Sequence, residues 1–259
     1  MLRKIAIAGL LLLTGIWSCD RQKDSFPSGI YLKKVIYHQQ ADQVRHYQYN
    51  SAGRLASRTF TFNNTITEKF DYQYKNGLVS RIDYFAINSN TDVTLVPKGY
   101  IMYEYDSDKI RQFALYPGNI NYSVNYNANQ RVTDITGPSS FVRYEYDQAG
   151  VLTKSVLFSN GQEVGVQYYT FDNKKNPLFQ LDPVNESANE LDFISYKLPN
   201  NLIKKVFVGA NHDTISESEY VFKYNSNNLP TESYELFTSE SNGYYRDSIN
   251  HRLYEYEVK

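Results

Sequence analysis

The chain has 259 residues, including 25 Tyr and 14 Phe; it is 41% hydrophobic and 15% aromatic, and its formal net charge is -1. That length suits one large all-β domain or two ordinary ones, and the tyrosine excess suits strands with one face near water. A near-neutral balance without a basic stripe excludes nucleic acid as a partner, because phosphate binding needs clustered Lys and Arg.

Residues 1–18 read as a signal peptide. Arg3 and Lys4 precede an apolar run from Ile5 to about Leu13, too short for a spanning helix of about 20 residues. The segment "IWSC" that follows is similar to the lipobox of bacterial lipoproteins: Ile16 and Ser18 fit, while Trp17 stands where a small residue is usual. The resemblance implies cleavage before Cys19 and lipidation of Cys19, which is the only cysteine in the chain. Residues 19–29 then form the lipidated Cys and its tether. Cleavage removes Trp17, the only tryptophan, and takes 27 cations to 25 against 28 anions, a net charge of -3. The mature chain has no disulfide, no thiol nucleophile and no Trp.

Residues 30–259 read as a single domain. A first strand over 29–38 is followed by variations on one phrase: "YQYNSAGRL" (47–55), "YQYKNGLVS" (72–80), "YEYDSDKIR" (103–111) and "VNYNANQRV" (124–132). The series continues with "YEYDQAGVL" (144–152), "YTFDNKKNPL" (169–178), "ISYKLPNNL" (194–202) and "FKYNSNNLP" (222–230), and "LYEYEVK" (253–259) supplies a last strand. Successive anchoring aromatics lie 20 to 32 residues apart, so a fixed unit is joined by variable connections. Alternation with period two, as in Phe70, Tyr72 and Tyr74, places one set of side chains on one face. Asn50 or Asp147 opens a type I turn, and Gly53 or Gly150 supplies the left-handed residue that closes it. Each phrase is therefore a β-hairpin tip with its leading strand.

The phrases resemble the YD repeats of bacterial surface and toxin proteins, and more closely a family of small lipoproteins of unknown function with a porin-like β-fold, over about residues 30–258. That resemblance implies a fold and no activity.

One lone strand, eight hairpins and a last strand give an antiparallel up-and-down meander of about eighteen strands. Closed as a round barrel it would be roughly 36 Å across, too wide for tyrosines to fill, so a flattened, partly open or water-filled sheet is expected. A spanning outer-membrane porin is the competing architecture. Strands that look shorter than the 9–11 residues needed to span, and a lipid anchor that an integral barrel does not need, weigh against it. The meander puts every phrase turn, and the anchor, at one end. The connections 86–99, 181–190, 209–217 and 238–248 fall at the other, where they form a distal rim expected to bind.

The search for chemistry is sparse. His38, His46, His212 and His251 form no metal-binding motif; His38 and His46 flank one connection and could meet across strands, though a solvated pair is the better reading. Asn211, His212 and Asp213, like Asp106-Ser107-Asp108, put oxygens close together, but calcium needs six or more, so turn chemistry is the better reading. No catalytic motif and no cofactor signature occurs. Tyr244 and Tyr245 lie outside the strand pattern and, with Asn211, His212 and Asp213, form the candidate ligand-binding set. The expectation is a non-enzymatic envelope module, held to the outer membrane by its lipid and binding a glycan or an envelope protein. An envelope hydrolase acting on glycans or peptides is the alternative.

Overall fold

The computed structural model describes residues 29–38, 42–89, 91–179, 198–239 and 247–259. The first strands are β1 (Ile30–His38), β2 (Asp42–Tyr49), β3 (Leu55–Phe62), β4 (Thr65–Lys75), β5 (Leu78–Ile87) and β6 (Leu95–Asp106). Next come β7 (Lys109–Tyr116), β8 (Ile120–Tyr126), β9 (Val132–Thr136), β10 (Ser140–Tyr146) and β11 (Leu152–Ser159). The chain continues with β12 (Gln162–Lys175), β13 (Asn200–Gly209), β14 (Thr214–Tyr224), β15 (Pro230–Ser239) and β16 (Asp247–Val258). Every strand pairs antiparallel with its chain neighbour, and β1 pairs with β16, so the sheet is a closed barrel in up-and-down order. Closure satisfies both edges of the meander, which corrects the partly open alternative.

The strand count is sixteen among the described residues, against the expected eighteen. The difference lies at one place. β12 pairs directly with β13, from Gly165↔Gly209 to Lys175↔Asn200, so the phrases at 169–178 and 194–202 share one hairpin instead of building two. Losing two strands leaves the polarity of the others unchanged. β12 stops and β13 starts at the phrase-turn end, and the connection between them contains 181–190, which lies outside the described residues. The base of that connection is pinned by Asn176 N–H donating to the Pro199 carbonyl at 2.8 Å, and Leu178 and Leu198 pack against the core.

Four phrase turns share one geometry. In the β2–β3 turn the Asn50 side chain accepts from the N–H groups of Ala52 and Arg54, each at 3.0 Å. Asn127 and Asn225 do the same in the β8–β9 and β14–β15 turns, and Asp147 holds Val151 N–H at 2.8 Å in the β10–β11 turn. Three residues after each opener the chain enters the left-handed region, at Gly53 (φ 71), Gln130 (φ 65), Gly150 (φ 85) and Asn228 (φ 59).

Where a described phrase opens on tyrosine, that tyrosine points into the lumen. Tyr47, Tyr72, Tyr103, Tyr144, Tyr169 and Tyr254 are all buried, together with Leu32, Ile82, Phe113 and Leu152. The second tyrosine reaches back one strand. Tyr49, Tyr74, Tyr105, Tyr126, Tyr146 and Tyr256 donate their hydroxyls to the carbonyls of Leu32, Leu55, Val79, Ile110, Val132 and Pro230, at 2.7–3.1 Å. A round sixteen-stranded barrel would be roughly 32 Å across. Burial of these rings therefore requires opposite walls to approach until side chains meet, as in two packed sheets about 10 Å apart. Among the described residues the inward side chains at the phrase-turn end form one buried core.

Strand length does not separate this barrel from a spanning one, since β6 and β16 have 12 residues and β12 has 14. The outer wall is mixed: on β3–β4 it carries Thr59, Lys69, Asp71 and Gln73, and on β8–β9 Asn121, Ser123, Asn125 and Asp134, whereas on β11–β13 it carries Val156, Val166, Tyr168, Val206 and Val208. Cross-strand and same-strand ion pairs such as Lys69–Asp71 (2.8 Å), Arg111–Glu104 (2.6 Å) and Lys154–Glu145 (3.0 Å) stud the same surface. Exposed pairs of this kind stabilise little in water, but in hydrocarbon they would be costly.

Candidate functional site

Cys19, Tyr244 and Tyr245 lie outside the described residues. Asn211, His212 and Asp213 form the β13–β14 turn at the distal end and are exposed. His212 is left-handed (φ 66); its N–H donates to the Gly209 carbonyl at 2.9 Å, and the Gly209 N–H donates to the Asp213 carbonyl at 3.0 Å. The backbone does the work here, and the three side chains are not gathered around a common point. Asp106-Ser107-Asp108 is likewise a tight turn, with Ser107 left-handed (φ 58). His38 and His46 are not brought together. His46 sits opposite Lys34, and His38 instead faces His251, with ring centroids 5.2 Å apart. The connection at 86–99 is also shorter than its sequence implies. Much of 86–99 is strand, pairing Ala86↔Val96 and Ile87↔Leu95.

The most distinctive site lies on the wall near the opposite end, where the barrel parts. The β13–β14 ladder runs from Val208↔Thr214 to Lys204↔Glu219 and stops. β14 continues to Tyr224, paired on its other side with β15 as far as Tyr224↔Pro230. β13 borders this gap, and beyond it β12 makes a wide bulge. Phe171 faces Leu202 and Lys175 faces Asn200, so Asp172, Asn173 and Lys174 stand opposite Asn201 alone. The rim closes again where Lys175 N–H donates to the Asn228 carbonyl at 3.3 Å and Lys174 Nζ to Asn228 Oδ1 at 3.1 Å. Between these two closures lies an open groove of about 510 Å³, lined by Asn173, Lys174, Lys204, Val221, Phe222 and Tyr224 among others.

A clasp replaces the missing rungs. Asp172 accepts from Lys174 N–H at 2.9 Å, from Asn201 N–H at 3.0 Å, from Asn201 Nδ2 at 3.2 Å and from the Tyr224 hydroxyl. Burial first, and then the hydrogen bond to Asp172, push the Tyr224 hydroxyl well above the usual phenol range. Tyr224 is therefore a fixed donor, and its ring cannot rotate freely. The regular hydroxyl-to-carbonyl pattern breaks at the same place. Phe171 stands at an anchor position without a hydroxyl, and Tyr224 is drawn off to a carboxylate. Sequence reasoning missed the groove. The one signal was that "YTFDNKKNPL" replaces the usual second tyrosine and lacks the glycine of the turn.

A second cluster sits on the outer wall of β14–β16. Glu232 takes Lys223 Nζ at 2.6 Å, His251 Nε2 at 2.9 Å and the Tyr234 hydroxyl, while the Tyr234 and His251 rings stack at 4.5 Å. The Lys223 hydrogen bond, followed by that of Tyr234, holds the Glu232 carboxyl down at about 2. Such a group is an anion at any working pH. Among the described residues no group of three or more His, Cys, Asp and Glu is placed to hold a metal ion.

A closed antiparallel barrel with a filled lumen and a partly charged wall is the class these features define. No protein-family model matches the chain, and no curated protein matches it. Among solved structures, a porin-like protein from Bacteroides uniformis superposes with a TM-score of 0.57 at 14% identity, covering 87% of this chain and 96% of that one. A porin-like protein from Bacteroides vulgatus follows with a TM-score of 0.43 at 12% identity, covering 88% and 98%. At such identities the first likeness is one of fold, and the chain has a porin-like β-barrel fold.

Proposed function

We propose that the chain is a cell-envelope barrel, anchored through a lipid on Cys19, that serves as a non-enzymatic binding module and not as a pore. The filled lumen carries this reading. Tyr47, Tyr72, Tyr103 and Tyr144 occupy the space a channel would need, and the polar wall of β3–β4 and β8–β9 suits water and not acyl chains. Asp172 and Glu232 have their oxygens already taken by donors, which supports a framework role for both over proton transfer. Signal-peptide character before Cys19 supports the envelope address. The β1 start lies at the phrase-turn end, so that end would face the membrane.

The test is twofold. The chain purified without its lipid should stay monodisperse without detergent and give no conductance steps in a planar bilayer. Cells expressing Cys19→Ala should lose incorporation of labelled palmitate into the protein. Discrete channel openings would overturn the lumen argument, and undiminished labelling would overturn the anchor.

A further inference from the structure

We infer that the groove between β12 and β14 is a binding site for a neutral pyranose sugar. The inference deepens the binding-module reading and rests on it. A pyranose has an apolar C–H face that packs on aromatic rings and a rim of hydroxyls that need both donors and acceptors. The groove offers both. Elsewhere among the described residues the first tyrosines of the phrases are buried in the core. Here the parted wall brings Phe222 and Tyr224 to the groove as neighbours on one strand, with ring centroids 5.9 Å apart and planes within 27°. The two rings, stacked on one another, are the aromatic platform of the groove. The Tyr224 ring is held in place by its bond to Asp172, so little ordering is required when a ligand arrives.

The charges point to a neutral ligand. The lining carries two carboxylates, Asp172 and Glu219, and two ammonium groups, Lys174 and Lys204. Each has a partner on the protein: Lys204 holds Glu217 at 2.9 Å and Glu219 at 3.5 Å, and Lys174 holds Asn228. A balanced set of this kind gives no field to draw an anion or a cation, yet puts the Lys174 and Lys204 N–H donors and the Glu219 carboxylate beside the platform, Asp172 being taken up by the clasp. Asn173, exposed on the bulge, adds an amide with both. A volume of about 510 Å³ falls within the range of small-ligand sites, about 300–1,000 Å³, and accommodates one or two sugar rings.

The experiment presents the chain purified without its lipid to an array of neutral gluco-, galacto-, manno- and xylo-oligosaccharides, followed by calorimetry on the strongest hit. Phe222→Leu removes one ring of the platform while keeping bulk, and Asn173→Trp fills the groove from an exposed position. Both should retain the wild-type circular dichroism spectrum and lose at least tenfold in affinity. Tyr244 and Tyr245, changed together to Ala, serve as the comparison for the competing location. Wild-type binding that survives both groove variants would overturn this site and leave the binding-module reading standing. Loss confined to the Tyr244/Tyr245 variant would move the site to the distal connection. Capture of extended peptides with no sugar bound would overturn the ligand class, and an array with no binding at all would overturn the sugar-binding reading.

Discussion

Four turns hold a left-handed residue at the same offset from an Asn or Asp opener, and the four residues there are Gly53, Gln130, Gly150 and Asn228. The position therefore tolerates a side chain that can reach the left-handed region, but a β-branched one meets its own backbone. Gly150→Val should destabilise the barrel by about 1–3 kcal/mol, read by chemical denaturation, and should also press the Arg131 guanidinium aside. Gly150→Asn should cost clearly less, as Asn228 shows; equal losses would mean that space, not φ, sets the constraint. Turn chemistry of this kind was plain in the sequence because it is local. The destination of the second tyrosine was not. Tyr146 finds the Val132 carbonyl only because β10 lies beside β9 in one register, and register is a property of the assembled sheet.

Single elements show where local reading gave out. The phrase at 169–178 has Asp172 in place to open a turn, and Asp172 does bond Lys174 N–H. Its remaining capacity goes to Asn201 and Tyr224, from β13 and β14, so β12 runs on to Lys175 and joins β13. Competition between a local turn and distant donors cannot be seen along the chain, and it decided both the strand count and the groove. The cross-strand cluster on β14–β16 was equally hidden. Glu232, Lys223, Tyr234 and His251 meet through pairings such as Lys223↔Glu232. Glu232 titrates at about 2 in the fold against an ordinary 4.5, so the fold favours its anion. The stability it contributes is complete above about pH 4.5 and lost as pH falls toward 2. Glu232→Gln should therefore melt below wild type at pH 7, with the gap closing across that acid window. A gap of constant size down to pH 2 would refute the linkage.

At the scale of the whole molecule, the up-and-down order and the shared polarity of the turns were legible, because eight variants of one phrase fix direction as well as structure. The solid interior was not. Estimating a lumen from strand number assumes a round section, and the tyrosines instead bring the walls together. The first likeness among solved structures agrees with the fold and carries no more than the fold, since function resides in sites that a fold carries.

The seam between β1 and β16, with Lys259 N–H donating to the Gly29 carbonyl at 2.8 Å, has a consequence for assembly. The opening strand stays unsealed on one flank until the closing strand has been synthesised, so a growing chain is a ribbon that becomes a ring at the last moment. A permutant that links Lys259 to Gly29 through a short spacer and is cut between Asn63 and Asn64 should reach the same far-ultraviolet spectrum, since it keeps every pairing. Removing 247–259 should instead leave an open ribbon that aggregates, and a soluble, fully folded remnant would show that the ring was never needed.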